Sequence, residues 1–144
     1  MQVKDIMTDN PACCTPETPL RDVARMMVDC DCGEIPVVDT SQRPIGVVTD
    51  RDITCRAVAQ GKNPLEMTAN DVMSHPVITV SPDTDLEDAL DTMETHQVRR
   101  VPAVDADGKI CGIVSQADIA RHAPEDETAE MVKDVSQPTA GARS

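Results

Sequence analysis

Apolar positions recur along the chain in two spacings, and the whole series returns a second time. Leu20, Val23, Ala24 and Met27 stand at i, i+3, i+4 and i+7, one face of a helix, and Leu86, Ala89, Leu90 and Met93 repeat that stripe. After each stripe come two short runs rich in β-branched residues, 35–39 with 45–48 and 101–105 with 109–114. Such runs read as paired strands, and Ala106-Asp107-Gly108 is good hairpin chemistry for the second pair. A short extended piece precedes each helix (12–15 and 77–80), and a second helix is expected to start at Thr49 and at Ser115. Thr18 is placed to cap the first helix, with Pro19 at its first helical position. In the copy, Thr84 and Glu87 have capping-box spacing. The predicted unit is β-α-β-β-α, twice.

The repetition is a register, not an impression. Adding 66 to each residue number carries 5–53 onto 71–119 without a gap, and 14 of those 49 positions are identical. Asp5-Ile6-Met7-Thr8 falls on Asp71-Val72-Met73-Ser74, and Ile35-Pro36-Val37-Val38-Asp39 on Val101-Pro102-Ala103-Val104-Asp105. Turn, helix and strand signals align together over that length, which marks an internal duplication. Gln60-Gly61-Lys62-Asn63-Pro64 breaks the pattern between the copies. Residues 67–73 read as a short helix capped by Thr68. The expected organisation is repeat one at 1–62, repeat two at 63–123, and a polar tail at 124–144. In that tail, Glu130-Met131-Val132-Lys133 is expected to add a helical turn. A unit of about 50 residues has a small core, so the two should pack together with pseudo-twofold symmetry. The fold class is α/β, in its α+β form.

Composition changes the picture in three ways. Phe, Tyr and Trp are all absent from the 144 residues, so the interior must use Val, Ile, Leu, Ala, Cys and Met. Met26, Met27, Met67, Met73 and Met93 are expected to fill the core. No aromatic platform exists for stacking a base. Acidic residues outnumber basic ones 26 to 13, a net charge of −13, which repels phosphate backbones and anionic lipid. No nucleic-acid or membrane role is therefore expected, and an anionic ligand would need a local cluster of cations. No apolar run approaches the roughly 20 residues that span a bilayer. Met1-Gln2-Val3-Lys4-Asp5 lacks the layout of a secretion signal, so the expected location is the cytoplasm, with thiols reduced.

The six cysteines (13, 14, 30, 32, 55 and 111) then read as small core residues. Cys13-Cys14 are adjacent and Cys30-Asp31-Cys32 has a single spacer, neither a strong zinc spacing. With His75, His96 and His122 available, a metal- or redox-responsive protein is the alternative reading. No Walker-type phosphate loop, nucleophile–base pairing or paired carboxylates in a recognisable layout are present, so no enzyme is expected.

One motif closes each repeat: Gly, two apolar residues, Thr or Ser, two variable residues, Asp. It runs Gly46 to Asp52 and Gly112 to Asp118. The spacing of Thr49 to Asp52 and of Ser115 to Asp118 is that of a capping box. A carboxylate there can also accept hydrogen bonds from a ribose diol. Both readings stand on the residues alone.

The duplicated unit, the Ile35-Pro36-Val37-Val38-Asp39 and Val101-Pro102-Ala103-Val104-Asp105 strands, and the paired Asp motifs resemble a tandem pair of CBS domains over residues 1–122. His96-Gln97-Val98-Arg99-Arg100-Val101-Pro102 with Ala117-Asp118-Ile119-Ala120-Arg121-His122 is similar to small stand-alone bacterial CBS-pair proteins, the mycobacterial hypoxia-response type among them. The resemblance implies no catalysis and no obligatory cofactor. It implies clefts between the repeats for an adenosine compound (AMP, ADP, ATP, NAD or S-adenosylmethionine), homodimers of CBS pairs, and an effector protein that the sequence does not name. Carried over by position, one cleft uses Ser115 and Asp118 for ribose and phosphate, Asn10 and Ala12 for the base, and Arg99 and Arg100 for phosphate. The other uses Thr49 and Asp52, with Pro76 and Ile78 as base wall. There Gly33-Glu34 replaces the Arg pair; Glu34 would repel a phosphate, and Arg51 is the compensating cation. The Asp118 cleft is the favoured one.

Overall fold

The computed structural model describes residues 1–122. Its regular elements, in chain order, are β1 (Thr8–Asp9), α1 (Leu20–Cys30), β2 (Glu34–Val38), β3 (Pro44–Thr49) and α2 (Asp50–Ile53). They continue as α3 (Ala69–Val72), α4 (Leu86–His96), β4 (Arg100–Val104), β5 (Ile110–Ser115) and α5 (Gln116–His122). α2 runs on as a wider π turn over Thr54–Val58, and single 3-10 turns lie at Val3–Asp5 and Pro64–Glu66. Helix and strand alternate as expected of the α+β class. The turn expected at residues 130–133 lies outside the described residues.

The two amphipathic stripes do what their spacing demands. α1 buries Leu20, Val23 and Met27; α4 buries Leu86, Ala89, Leu90 and Met93. Both helices stop on a left-handed residue at the same repeat position, Asp31 (φ 51°) and Gln97 (φ 52°), which turns the chain back toward the strands. β2 pairs antiparallel with β3, placing Ile35 opposite Val48, and β4 pairs with β5, placing Val101 opposite Val114. The extended pieces before the helices shrink to one bridging residue each. Cys14 lies parallel to Val37 and Val80 parallel to Ala103, each held by two backbone hydrogen bonds of 2.8–3.0 Å.

By its internal contacts the chain divides into two compact units. Among the described residues, one unit comprises Met1–Pro11 with 78–122; the other is Ala12–Val77. Each unit thus takes its leading segment from in front of the other repeat. Thr8 of β1 pairs with Ile113 of β5, and its counterpart Ser74 bridges to Val47 of β3. The same exchange explains the helix starts. The Leu20 N–H donates to Met67 O at 2.8 Å, and the Leu86 N–H to Met1 O at 3.1 Å. With those first donors satisfied by distant backbone, Thr18 and Thr84 do not cap. The cap positions are Pro19 and Asp85. The Thr18 and Thr84 hydroxyls instead accept from the N–H groups of Thr15 and Ser81, at 2.9 and 3.0 Å. Pro19 therefore stands one place before the helix rather than at its first position.

Each unit has its own core. Val3, Leu90, Met93, Val101, Val114 and Ile119 are central to one. Cys14, Leu20, Val23, Ile35, Val48 and Val72 are central to the other, with Met26, Met67 and Met73 packed against it. Aliphatic side chains and methionine thus fill the space expected of them.

Candidate ligand-binding site

The two Asp motifs fold alike and are then used differently. At the end of β5 the Ser115 N–H donates to Asp118 Oδ2 and the Asp118 N–H donates to Ser115 Oγ, both at 3.0 Å. At the end of β3 the Thr49 N–H donates to Asp52 Oδ2 at 2.9 Å, and the Asp52 N–H to Thr49 Oγ1 at 3.0 Å. Each Asp therefore uses one oxygen to fasten the start of its own helix, a formed capping box. What differs is the other oxygen. Asp52 Oδ1 accepts from the Ser74 hydroxyl at 2.9 Å and lies 3.9 Å from Arg56 Nε. Arg56 is itself pinned, its Nη1 donating to Met73 O at 3.0 Å and Val72 O at 3.3 Å. Helix, leading segment and carboxylate are thereby stapled together. Asp118 Oδ1 instead pairs with Arg121, one turn further along α5. The Arg121 side chain is 69% exposed while that of Asp118 is 16% exposed, so a half-shielded carboxylate is paired with a solvent-facing counter-ion.

The strands set the charge around each motif. Residues directly opposite on an antiparallel pair share a face. Arg100 is opposite Ser115, and Glu34 is opposite Thr49. A cation thus flanks one motif and a carboxylate flanks the other, as the sequence comparison of the repeats had it. Arg99 reaches the same place through its backbone, its carbonyl accepting from the Gln116 N–H at 2.7 Å. Gly33, its counterpart, accepts from the Asp50 N–H at 3.0 Å. A Cβ at Gly33 would lie 2.9 Å from the Asp50 carboxylate. Arg51 is exposed in the first turn of α2, where its N–H donates to Asp50 Oδ1 at 2.8 Å.

The residues expected to form base walls divide between the units. Asn10, exposed and left-handed at φ 50°, belongs with Asp118, whereas Ala12 falls in the Asp52 unit. Pro76 stays with Asp52, whereas Ile78 belongs to the Asp118 unit and packs against its core. Because β1 runs antiparallel to β5, with Thr8 opposite Ile113 and Asp9 opposite Gly112, Thr8 lies nearer the Ser115 end than Asn10 does. Thr8 is the repeat counterpart of Ser74, whose hydroxyl holds Asp52. That pair is present in the duplication as Asp-Ile-Met-Thr and Asp-Val-Met-Ser, and Ser74 was not singled out. Arg121 and Arg56, the partners of the two carboxylates, were likewise not singled out.

The Asp52 unit also carries an open pocket of about 620 Å³ between α1 and α2, lined by residues that include Met27, Cys32, Gly33, Asp50 and Ile53. Neither Thr49 nor Asp52 lines it. The cysteines are not uniformly the core residues expected: Cys14 is buried, Cys13, Cys32 and Cys111 are half-buried, and Cys30 and Cys55 are exposed, on helical faces turned to solvent. Burial, with the neighbouring Cys13 adding to it, pushes the Cys14 thiol up to about 12. Burial also raises Cys13, and burial with the carboxylates of Asp105 and Asp9 raises Cys111. Such thiols stay protonated at neutral pH and are weak nucleophiles. Cys111, expected to be buried, is half-buried, with its Sγ 3.5 Å from Ala103 O. Among the described residues no three His, Cys, Asp or Glu side chains gather as a metal site, and no helix is long and apolar enough to cross a membrane.

Comparison with known proteins agrees with this architecture. The family model for the CBS domain matches twice, at residues 3–57 and 69–125. Hypoxic response protein 1 of Mycobacterium tuberculosis is 35% identical over 137 residues, 95% of either chain. An uncharacterized Methanopyrus kandleri protein is 39% identical over 121 residues, and the chain spans 59% of that relative's length. Among solved structures, Hypoxic Response Protein I with two coordinated zinc ions superposes with a TM-score of 0.78 at 35% identity, covering 86% of this chain and all of that one. CBSX2 of Arabidopsis thaliana in complex with AMP gives 0.74 at 29% identity, covering 88% and 98%.

Proposed function

The chain belongs to the CBS-domain family as a tandem pair, and from that premise we propose that it is a regulatory module without catalytic activity that binds an adenosine-containing ligand, AMP first among them, at the Asp118 repeat. The observation that carries this reading is the contrast between two otherwise matched carboxylates. Asp52 has both oxygens committed to its own unit and a glutamate opposite its Thr49. Asp118 offers Oδ1 through an exposed counter-ion, with Arg100 opposite Ser115. In a chain of net charge −13, such a local cluster of cations is what a phosphate-bearing ligand requires. The AMP complex of CBSX2 supports the ligand class. Regulation would follow from different affinity for two conformations, which shifts their populations and so alters contact with an effector protein. A cytoplasmic homodimer of CBS pairs is the setting we infer.

Thermal melting with AMP, ADP, ATP and NAD tests the reading. A ligand at 100 times its dissociation constant adds about 2.7 kcal/mol of stability. AMP is expected to raise the Tm of the wild type and not that of Asp118→Ala. Absence of any shift with all four compounds contradicts the proposal.

A second reading, a metal-responsive protein, draws on the zinc ions of Hypoxic Response Protein I. Among the described residues no three candidate ligands come together, so the reading takes second place. Metal analysis of protein purified without a histidine tag distinguishes the two. Stoichiometric zinc, lost on replacing Cys13 or Cys14, would favour the second.

A further inference from the structure

We propose that Arg121 makes the Asp118 site selective for anionic adenosine ligands, acting as a counter-ion that exchanges the carboxylate for the ligand's phosphate. The inference rests on the reading of Asp118 given above and extends it to a residue that neither the duplication nor the strand register places there. Three observations carry it. Asp118 is fixed, because its Oδ2 accepts from the Ser115 N–H and its own N–H is bonded to Ser115 Oγ. Arg121 is bound to Asp118 Oδ1 while its side chain remains 69% exposed. At Asp52 the guanidinium that approaches the carboxylate is anchored to two backbone carbonyls, so among the described residues the exposed counter-ion without such an anchor belongs to the Asp118 repeat.

The energetics favour exchange. An exposed ion pair contributes about 0–1 kcal/mol, so moving Arg121 off Oδ1 costs little. A ribose that hydrogen-bonds Oδ1 competes with Arg121 for it. Neutral adenosine offers the displaced guanidinium nothing in return. AMP offers a phosphate, which takes paired, charge-assisted hydrogen bonds from an arginine fork. Removing the charge at 121 must therefore act in opposite senses on the two ligands. AMP loses a partner, and adenosine loses a competitor.

Calorimetric titration of the full chain with AMP, adenosine and inorganic phosphate tests this on the wild type, Arg121→Gln and Arg121→Lys. Arg121→Gln is expected to weaken AMP about tenfold while adenosine binds as well as before or better. Arg121→Lys, which keeps the charge, is expected to retain most of the preference for AMP. Inorganic phosphate alone is expected not to bind, since the diol contact is missing. Equal weakening of AMP and adenosine in Arg121→Gln would mark a purely structural residue and overturn the inference. So would an unchanged ratio of the two affinities, or tight binding of inorganic phosphate alone. A wild type that binds neither nucleoside nor nucleotide instead overturns the underlying reading of Asp118, and the inference with it.

Discussion

Asp52 and Asp118 occupy one position of a duplicated motif and have acquired different surroundings. Replacing Asp52 with Ala removes the acceptor of the Ser74 hydroxyl and of the Thr49 N–H, and leaves Arg56 only its two backbone carbonyls. The expected cost is about 1–3 kcal/mol of stability, read as a lower Tm, with AMP affinity preserved. The buried thiol gives a second prediction at this scale. Cys14 is 4% exposed and ionises near 12, whereas an unfolded cysteine ionises near ~8.5. Above that lower value the unfolded chain releases a proton that the folded one keeps, so stability falls as pH rises through the interval. The fall is expected to be shallower in Cys14→Ala, and thiol labelling at pH 8 should modify exposed Cys55 well before Cys14. Equal rates would contradict the burial. Much of this scale was legible beforehand. The capping spacing, the Glu34 against Arg100 contrast and the filler role of Cys14 all follow from residue type and repeat position. The partners of the second carboxylate oxygens were not, because Ser74 meets Asp52 through a segment whose destination the local pattern does not contain.

At the level of elements, the long helices and the two strand pairs were recovered to within a residue or two, since apolar periodicity specifies which face is buried, whereas the extended pieces at 12–15 and 77–80 reduce to single bridges and β1 was not foreseen. The helix starts were read less well. Thr18 and Thr84 looked like caps because a capping box is a local signal, whereas the acceptors for Leu20 and Leu86 are Met67 and Met1, far along the chain. That non-local edge yields a prediction. A Cβ at Gly46 would lie 2.8 Å from Ser74 O, so Gly46→Ala must push the leading segment off β3. Overpacking of this kind costs about 1–3 kcal/mol. Hydrogen exchange should quicken at the Val47 and Ser74 amides, which bond each other's carbonyls at 3.0 and 2.8 Å. Unchanged protection at those amides would mean that the bridge does not organise the edge.

For the whole molecule, the repeat predicted two like units and the CBS resemblance predicted their family, both of which hold. A 66-residue register is blind, however, to which copy a leading segment packs with. Nothing in the residues 1–11 or 67–77 says locally that each belongs with the other repeat's helix. The assembly remains a matter for the intact chain: native mass spectrometry is expected to give a dimer, and a monomer at micromolar concentration would contradict that expectation.

The central claim is that one carboxylate of two receives the ligand. Titration calorimetry with AMP on the wild type, Asp118→Ala and Asp52→Ala tests it most directly. The account predicts one site per chain in the wild type, none in Asp118→Ala, and one of unaltered affinity in Asp52→Ala. Binding that survives in Asp118→Ala and vanishes in Asp52→Ala would reverse the assignment.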